Sequence, residues 1–213
     1  MRAKYLEQDR LDISEAVKAL SQFMAHPREG HMAELKRLIR YLRGQPRHVV
    51  RFVRQDQCGL TVETDSDWAG EATRRRSTSG MIIRRGKHLI RHTSTLQSVL
   101  ALSSAEAEFY ALTKGAAYAL GVQSLFNDWG VQVDITMFTD SSSGLSFSSR
   151  RGLGKMRHIQ TRFLWLQDLV ASKALNVRKI LGTLNPADIL TKPLGADVLL
   201  RVCGELGQTP LCT

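Results

Sequence analysis

The stretch LTVETDSDW, residues 60–68, decides the fold and indicates the chemistry. Residues 60–65 are rich in β-branched side chains and lead into polar turn residues, a pattern that predicts a β-strand ending at Asp65. A carboxylate at the end of a strand is costly unless another group compensates its charge. Asp65 is therefore either a turn aspartate or a functional ligand, and the neighbouring Asp67 is the better candidate for the turn residue.

Around this stretch, the order of elements is typical of one mixed sheet. Short β-rich runs predict further strands at residues 48–53, 78–84, 87–93, 134–139 and 176–181. Apolar periodicity predicts helices over 103–129 (with a break near Gly121) and over 158–173, and Asn185-Pro186 opens a last helix. Three antiparallel strands, a helix, and then strand–helix–strand–helix predict an α/β fold. We expect a five-stranded mixed sheet, three strands antiparallel and then two parallel, flanked by helices.

The first 47 residues are predicted to be a small helical segment. Asp12 and Glu15 form an N-terminal capping pattern for a helix over residues 13–24. A second helix ends at Gly44 and is expected to bury Leu35, Leu38, Ile39 and Leu42. Its other face carries a basic stripe, which fits a solvated surface and phosphate contact equally well: Lys36, Arg40 and Arg43.

Glu108 is the most informative acidic residue. Ser103 and Glu106 match a capping box, which gives Glu106 a structural role. Glu108 follows two residues later, roughly 200° around the helix at about 100° per residue. It shares a stripe with the small residues Gly115 and Ala119, which would let the helix approach a sheet closely. A buried and unpaired glutamate requires a cation, so the pattern favours a functional role for Glu108.

Two more aspartates follow at positions where structural roles compete with functional ones. Asp140 comes directly after the strand predicted at 134–139, where open α/β sheets place their chemistry, but it could also be the N-cap of the next helix. Asp188 is the third residue of the late helix, where it would stabilise the helix dipole whatever else it does.

As a set, these four carboxylates indicate a metal site. Hard oxygen ligands from separate elements suit Mg²⁺, with Mn²⁺ as the alternative. Two such ions, about 4 Å apart, can activate a water and stabilise the leaving oxygen in phosphoryl displacement. The predicted catalytic and metal-binding residues are Asp65, Glu108, Asp140 and Asp188.

The charge balance indicates a polyanionic partner. The chain has 213 residues, with 30 Lys and Arg against 20 Asp and Glu, a formal net charge of +10. Its basic residues are spread along the sequence and are not gathered on one amphipathic helix, so nucleic acid is favoured over a membrane surface. The polar start is unlike a signal peptide, and three cysteines without metal-ligand spacing fit reduced thiols, so we expect an intracellular protein in the cytoplasm or the nucleus. The predicted nucleic-acid contacts are Arg74, Arg75, Arg76, Lys155, Arg157 and His158.

Five ordered motifs closely resemble the ribonuclease H domain of copia-type retrotransposon Pol polyproteins. They are TDSDWAG at 64–70, RRRSTSG at 74–80, LSSAEAE at 102–108, RHI at 157–159 and ADILTKP at 187–193. The resemblance covers about residues 60–195. The first helices resemble the end of the reverse transcriptase that precedes this domain in the family. Together, these resemblances imply a helical segment at 1–47, a ribonuclease H-like domain at 48–194 and a C-terminal helix and tail at 195–213.

The resemblance implies a two-metal endonuclease that hydrolyses the RNA strand of RNA–DNA hybrids, within a larger polyprotein. The family's metal ligands fall on Asp65, Glu108, Asp140 and Asp188. One departure is TDSSS at residues 139–143 in place of the usual Cys-Asp-Asn-Gln, which keeps the aspartate but loses two amide side chains. The alternatives are another nuclease or transposase of the same fold and a catalytically inactive, nucleic-acid-binding remnant.

Overall fold

The computed structural model describes residues 2–56, 58–71, 74–154 and 158–211. The helices are α1 (Ala3–Leu6), α2 (Ser14–Ser21), α3 (Glu29–Gly44), α4 (Ser104–Asp128), α5 (Ser142–Ser149), α6 (Trp165–Ala171) and α7 (Ala196–Glu205). The strands are β1 (His48–Val50), β2 (Leu60–Glu71), β3 (Arg76–Arg85), β4 (His88–Leu96), β5 (Ile135–Thr139), β6 (Asn176–Lys179) and β7 (Gln208–Pro210). Short 3₁₀ turns lie at Leu11–Ile13, Thr161–Phe163, Gly182–Leu184 and Pro186–Leu190.

Five of the strands form one mixed sheet in the order β4-β3-β2-β5-β6. β2, β3 and β4 are antiparallel neighbours, whereas β5 and β6 run parallel to β2. Gly86, with φ 58°, lies in the turn of the β3–β4 hairpin. This arrangement confirms the predicted fold class, an α/β ribonuclease H-like fold with three antiparallel strands followed by two parallel ones.

Helix α4 packs on one face of the sheet and supplies much of the main core. Ser103 caps it by accepting a hydrogen bond from the Glu106 backbone N–H at 3.2 Å. A Cβ at Gly115 would lie only 2.8 Å from Thr64 Cγ2, so a glycine is needed for this close approach to β2. The predicted break near Gly121 is wrong, because α4 runs without interruption to Asp128. A single glycine costs a helix only about 1 kcal/mol, which the packing of the helix on the sheet offsets.

The opposite face of the sheet is covered by residues from both ends of the chain. Its apolar cluster consists of Leu11, Ile82, Ile189, Leu190, Val202, Cys203 and Leu206. β1 pairs with β7 in a separate two-stranded ribbon. The strand predicted at residues 48–53 is therefore shorter than expected and lies outside the main sheet, because its pairing partner comes from the far end of the sequence.

The N-terminal helices differ from the prediction. Asp12 does not cap a helix; its carboxylate accepts hydrogen bonds from Arg10 Nε at 2.8 Å and from the Tyr41 hydroxyl at 2.7 Å. Helix α2 accordingly begins at Ser14, and it ends at Ser21 rather than at residue 24. In α3, Leu38 is buried but Ile39 is 54% exposed, so the predicted apolar face was too wide. The basic stripe of α3 is exposed.

Two smaller expectations concern membranes and cysteines. Among the described residues, no helix has the length and apolar character needed to cross a membrane. Cys58 and Cys203 are free thiols, and Cys212 lies outside the described residues.

Candidate active site

The pairing of two parallel strands brings Asp65 towards Asp140. Leu60 to Glu63 of β2 pair with residues 135–138 of β5. Asp65 and Asp140 each follow two residues after the last paired residue, so the register places them side by side. The prediction that the strand ends at Asp65 is wrong, because β2 stays paired with β3 and continues to Glu71. Asp65 lies beyond the end of the parallel pairing, and not at the end of the strand.

Asp140 is not the N-cap of the following helix. Ser141 caps α5, because its Oγ accepts a hydrogen bond from the Gly144 backbone N–H at 2.9 Å. The Asp140 backbone carbonyl accepts a hydrogen bond from Lys179 Nζ, which also donates to Ser142 Oγ at 2.7 Å. Ser141 therefore fills the capping role that was the structural alternative for Asp140. The Asp140 carboxylate remains available for another role.

Asp188 reaches the same place on a 3₁₀ turn that is held against the sheet. Asn185 caps this turn, and its Nδ2 donates a buried hydrogen bond to the Thr64 carbonyl oxygen at 2.9 Å. Gly80, the β3 residue opposite Asp65, allows the close approach, since a Cβ there would lie 2.8 Å from the Ala187 carbonyl oxygen. The cap and the proline start predicted at Asn185-Pro186 are both present, on a 3₁₀ turn rather than an α-helix.

The three aspartates form one group. Asp65, Asp140 and Asp188 each offer a carboxylate oxygen, and these oxygens all lie within 4.8 Å of one another. Asp65 is buried, whereas Asp140 and Asp188 are half-buried and open the group to solvent. Thr191 Oγ1 donates a hydrogen bond to Asp65 Oδ2, and Lys192 Nζ lies 3.0 Å from Asp188 Oδ2. A single cation could contact all three carboxylates.

Glu108 lies beside this group without being part of it. Its Oε1 accepts hydrogen bonds from the Ser66 backbone N–H at 3.1 Å and from Ser66 Oγ at 2.8 Å. Its Oε2 is buried and has no hydrogen-bond partner among the described residues. The side chain is directed into the fold, as the helical phase predicted, and one of its oxygens is free to bind a ligand.

The pKa shifts show how strongly these carboxylates interact. Burial raises the pKa of Asp65 to about 6; the charges of Asp188 and Asp140 act in the same direction, and the Thr191 hydrogen bond opposes them. Burial, followed by the charge of Asp65, raises the pKa of Glu108 to about 8. Both raised pKa values reflect negative charges that lie close together where solvation is poor. A bound cation would stabilise the charged carboxylates and lower these pKa values.

The donor set fits a divalent metal. Glu108 Oε2 and Asp188 Oδ1 are buried oxygens without hydrogen-bond partners in the described part of the chain, and buried oxygens of this kind normally have a donor or an ion beside them. The candidate ligands are carboxylate oxygens, the type that Mg²⁺ and Mn²⁺ prefer.

Comparison with known proteins identifies the family. No protein-family model matches the chain. Over 97% of its length, it is 32% identical to the retrovirus-related Pol polyprotein from transposon RE1 of Arabidopsis thaliana, of which it covers 14%. It is also 32% identical, over 92% of its length, to the Pol polyprotein from transposon TNT 1-94 of Nicotiana tabacum, of which it covers 15%. Over most of its length, the chain is homologous to the Pol polyproteins of copia-type transposons. It spans about one seventh of the length of these relatives.

One solved structure with a similar arrangement is the N-terminal RNase H domain of a Mycobacterium tuberculosis protein, determined as a fusion with maltose-binding protein. It is 13% identical, with a TM-score of 0.44, and the match covers 69% of this chain and 97% of that one. The fold assignment therefore rests on the chain's own strand order and pairing.

The serine run that departs from the copia-type pattern has structural roles. Ser141 caps α5, and Ser142 accepts a hydrogen bond from Lys179. The amide side chains expected at the two positions after Asp140 are thus replaced by short hydroxyls that bond within the chain. Asp140 itself is unaffected by this change.

The predicted nucleic-acid contacts are only partly described. Arg74 and Arg75 are exposed in the turn between β2 and β3, and Arg75 has a φ of 52°. Arg76 is half-buried as the first residue of β3. Lys155 and Arg157 lie outside the described residues. Two exposed guanidinium groups therefore stand at this turn, available to a polyanion.

His158 is held by Glu106, and the capping-box interpretation of Glu106 is incomplete. His158 Nε2 lies 2.7 Å from Glu106 Oε2. The buried Glu106 carboxylate also accepts hydrogen bonds from the Tyr110 hydroxyl and, at 2.9 Å, from the Leu102 backbone N–H. Burial alone would raise the pKa of Glu106, but the hydrogen bonds from His158 and Tyr110 outweigh it and lower that pKa.

Sequence reasoning missed the residues that position the carboxylates. Ser66 orients Glu108, Thr191 bonds to Asp65, and Asn185 ties the Asp188 turn to β2. Asn185 was recognised only as a helix cap, and Ser66 and Thr191 stood inside the recognised motifs without an assigned role. Their adjacency to the acidic residues in those motifs was the signal that could have identified them.

Proposed function

We propose that the chain is a metal-dependent endonuclease that hydrolyses the RNA strand of RNA–DNA hybrids. The observation that carries this proposal is the meeting of Asp65, Asp140 and Asp188 within 4.8 Å, with Glu108 beside them. The net charge of +10 and the copia-type Pol relatives support a nucleic-acid substrate. Copying RNA into DNA leaves a hybrid whose RNA strand must be removed, which is the reaction that this proposal assigns to the chain.

In the proposed mechanism, Asp65, Glu108, Asp140 and Asp188 hold two Mg²⁺ ions, with Mn²⁺ as a possible replacement. Bound divalent ions supply a lowered pKa for an attacking water and charge stabilisation at the leaving oxygen. Asp65, the most buried of the three grouped aspartates, is oriented by Thr191. Glu108 is fixed through Oε1 by Ser66 and presents Oε2 to the site.

Substrate selection is proposed to depend on shape and on the 2′-hydroxyl rather than on base sequence. Phosphates of the hybrid would contact Arg74, Arg75 and Arg76, and also Lys155, Arg157 and His158. Arg74 and Arg75 support this assignment because they are exposed in one turn of a strongly basic chain. The hydrogen bond that His158 donates to Glu106 limits the freedom of the His158 ring and gives it a fixed orientation.

The decisive experiment is cleavage of a labelled RNA–DNA hybrid with Mg²⁺, compared with EDTA and with duplex DNA. We expect the RNA strand to be cut only with the metal, and duplex DNA to remain intact. Asp140→Asn should bind the hybrid without cutting it, while Asp67→Asn, at a half-buried aspartate of the same strand as Asp65, should remain active. Equal cutting of both duplexes would favour a general nuclease. Binding without cleavage by the wild type would indicate an inactive remnant.

We also propose that the chain is one segment of a larger polyprotein, with a reverse transcriptase-like helical segment at residues 1–47, a ribonuclease H-like domain at 48–194 and a C-terminal helix and tail at 195–213. Relatives seven times as long support the polyprotein context. Leu11 shares an apolar cluster with Val202 and Leu206, so the first and last segments would fold against the middle one. Limited proteolysis followed by mass spectrometry would locate the boundaries.

A further inference from the structure

A cavity of about 430 Å³ lies beside α4, between the end of β4 and the start of α6. We refer to it as the α4–α6 cavity. Its polar lining includes Gln97, Lys114 and Arg162, and its aromatic lining is formed by Tyr110, Phe163 and Trp165. None of the four candidate metal ligands lines it.

Gln97, one of the residues that line the cavity, has an unused hydrogen-bond acceptor. The side chain is only 6% exposed. Its Nε2 donates both to Ser79 Oγ at 2.9 Å and to the Ala107 carbonyl oxygen at 2.8 Å, and this carbonyl fixes which way the amide is turned. Oε1 is consequently left buried without a partner among the described residues. A ligand N–H or O–H would satisfy it.

Two cations without counter-ions line the same cavity. Lys114 is half-buried; desolvation lowers its pKa, and its Nζ donates to Thr95 Oγ1. Arg162 lies over the Phe163 ring, 4.9 Å from its centroid. No carboxylate lines the cavity, and within the described ranges neither cation has an ion pair. A half-buried ammonium and an exposed guanidinium beside one cavity form a suitable site for an anion such as a phosphate.

The aromatic wall supplies a flat surface. Tyr110 and Phe163 contact each other with ring centroids 4.4 Å apart, and Trp165 is 36% exposed at the rim. The Tyr110 hydroxyl is engaged by Glu106, so this ring presents its apolar part to the cavity. Aromatic rings of this kind hold nucleobases by stacking, whatever the base.

We propose that the α4–α6 cavity binds one unpaired nucleotide of a single-stranded nucleic acid, with its base against Trp165 and Phe163, a base N–H donating to Gln97 Oε1, and its phosphate at Lys114 and Arg162. This binding requires neither a metal nor the acidic group, so it goes beyond the proposed cleavage and is independent of it. Gln97 bonds to Ala107, the chain neighbour of Glu108, so the cavity adjoins the candidate active site.

The test is isothermal titration of the whole chain with a thymidine tetranucleotide in EDTA, where no cleavage can occur. Lys114→Gln removes the charge but keeps a donor for Thr95, and Arg162→Gln alters an exposed position only. Each should weaken binding about tenfold, as expected when one charge-assisted hydrogen bond is removed. Trp165→Ala should weaken it by a similar factor, about that of one stacked base.

The matched control is Arg178→Gln, which makes the same charge change at an exposed residue of β6. It should leave the dissociation constant within about twofold, because one distant charge is largely screened. Equal weakening by Arg162→Gln and Arg178→Gln would overturn the proposal, since binding would then follow net charge alone. Thymidine 5′-monophosphate carries the same base and phosphate, so it should compete with the tetranucleotide, and a failure to compete would overturn the assignment of the cavity to one nucleotide. A chain that binds the tetranucleotide but cuts no hybrid would refute the proposed function alone.

Discussion

At the scale of single residues, two glutamates on α4 show how hydrogen-bond donors decide a role. Glu106 is surrounded by donors: a backbone N–H, a tyrosine hydroxyl and the His158 ring. Glu108 has Ser66 on one oxygen, its second oxygen has no hydrogen-bond partner among the described residues, and the charges of Asp65 and Asp140 act on the carboxyl group. The pKa of Glu106 is lowered and that of Glu108 is raised, so one carboxylate is satisfied by the protein and the other is left for a metal.

This difference predicts opposite effects of the same substitution. Glu108→Gln should abolish metal-dependent cleavage and slightly stabilise the metal-free protein. Burial and the charges of Asp65 and Asp140 raise the pKa of Glu108 to about 8, so folding at neutral pH requires this carboxyl to take up a proton or to stay charged at a cost, and an amide avoids both. Glu106→Gln should lower the free energy of unfolding by about 1–3 kcal/mol, because an amide cannot accept from all of the donors that Glu106 now serves. Urea denaturation in EDTA and a hybrid-cleavage assay measure the two effects. A well-folded but inactive Glu106→Gln protein would contradict the assignment.

At the scale of elements, glycines set how closely helices and turns approach the sheet. Gly115 lets α4 pack against Thr64 and Met137, and this places Glu108 over the end of the β2–β5 pairing. On the other face, Gly80 likewise allows the turn that carries Asp188 to pack closely on the sheet. The carboxylates come together because α4 lies close to β2 on one face, and the turn that carries Asp188 lies close to β3, beside Asp65, on the other.

Helix α4 contains a second glycine, Gly121, that serves as a control for Gly115. A Cβ at Gly115 would lie 2.8 Å from Thr64 Cγ2 and 3.0 Å from Met137 Cε, whereas a Cβ at Gly121 would meet nothing within 4 Å. Gly115→Ala should therefore reduce the free energy of unfolding by about 1–3 kcal/mol through overpacking. Gly121→Ala should raise it by up to about 1 kcal/mol through helix propensity. Thermal and urea unfolding of both variants would check this, and equal effects would mean that α4 is not closely packed at Gly115.

At the scale of the whole molecule, the two ends of the chain close over the sheet around a buried ion pair. Arg10 Nη2 lies 2.7 Å from Asp12 Oδ2, and both side chains are almost fully buried. Burial acts to raise the pKa of Asp12, but hydrogen bonds from Arg10 and Tyr41 prevail and lower it. Gln208 joins the ends by donating to the Asp9 carbonyl oxygen at 2.8 Å.

This lowered pKa predicts a pH-dependent contribution to stability. Because the folded pKa is below the unfolded value of about 3.9, the contribution is complete well above that value and is lost as the pH falls through the folded pKa. Asp12→Asn should lower the free energy of unfolding by about 3 kcal/mol at pH 7. Urea titrations at pH 7 and pH 3 should show this difference shrinking at the lower pH. Glu205→Gln, which removes an exposed ion pair with Arg201, should change little at either pH.

The overall charge makes a separate prediction about binding. A chain at +10 that holds a hybrid by its phosphates should lose affinity linearly with the logarithm of the salt concentration. Replacing the exposed Arg74 and Arg75 with alanine should reduce that slope by about 0.9 for each phosphate that is no longer neutralised. Binding in EDTA at several salt concentrations measures the slope. An unchanged slope would mean that these two arginines are only solvated.

The sequence by itself determined the fold class, the mixture of three antiparallel and two parallel strands, and the inward direction of Glu108, because each depends on local periodicity and on the order of elements along the chain. Only the tertiary structure decided that β2 runs on past Asp65, that β1 pairs with β7, and that Ser141 rather than Asp140 caps α5. It also revealed Asn185 and Thr191 as the residues that hold the acidic group. Each of these features depends on which of several possible hydrogen-bond or pairing partners packs against a residue. Some of those partners are distant in sequence: Asn185 bonds to Thr64, and Thr191 bonds to Asp65. A local pattern can state what a residue is able to bond, but packing selects the bond that forms.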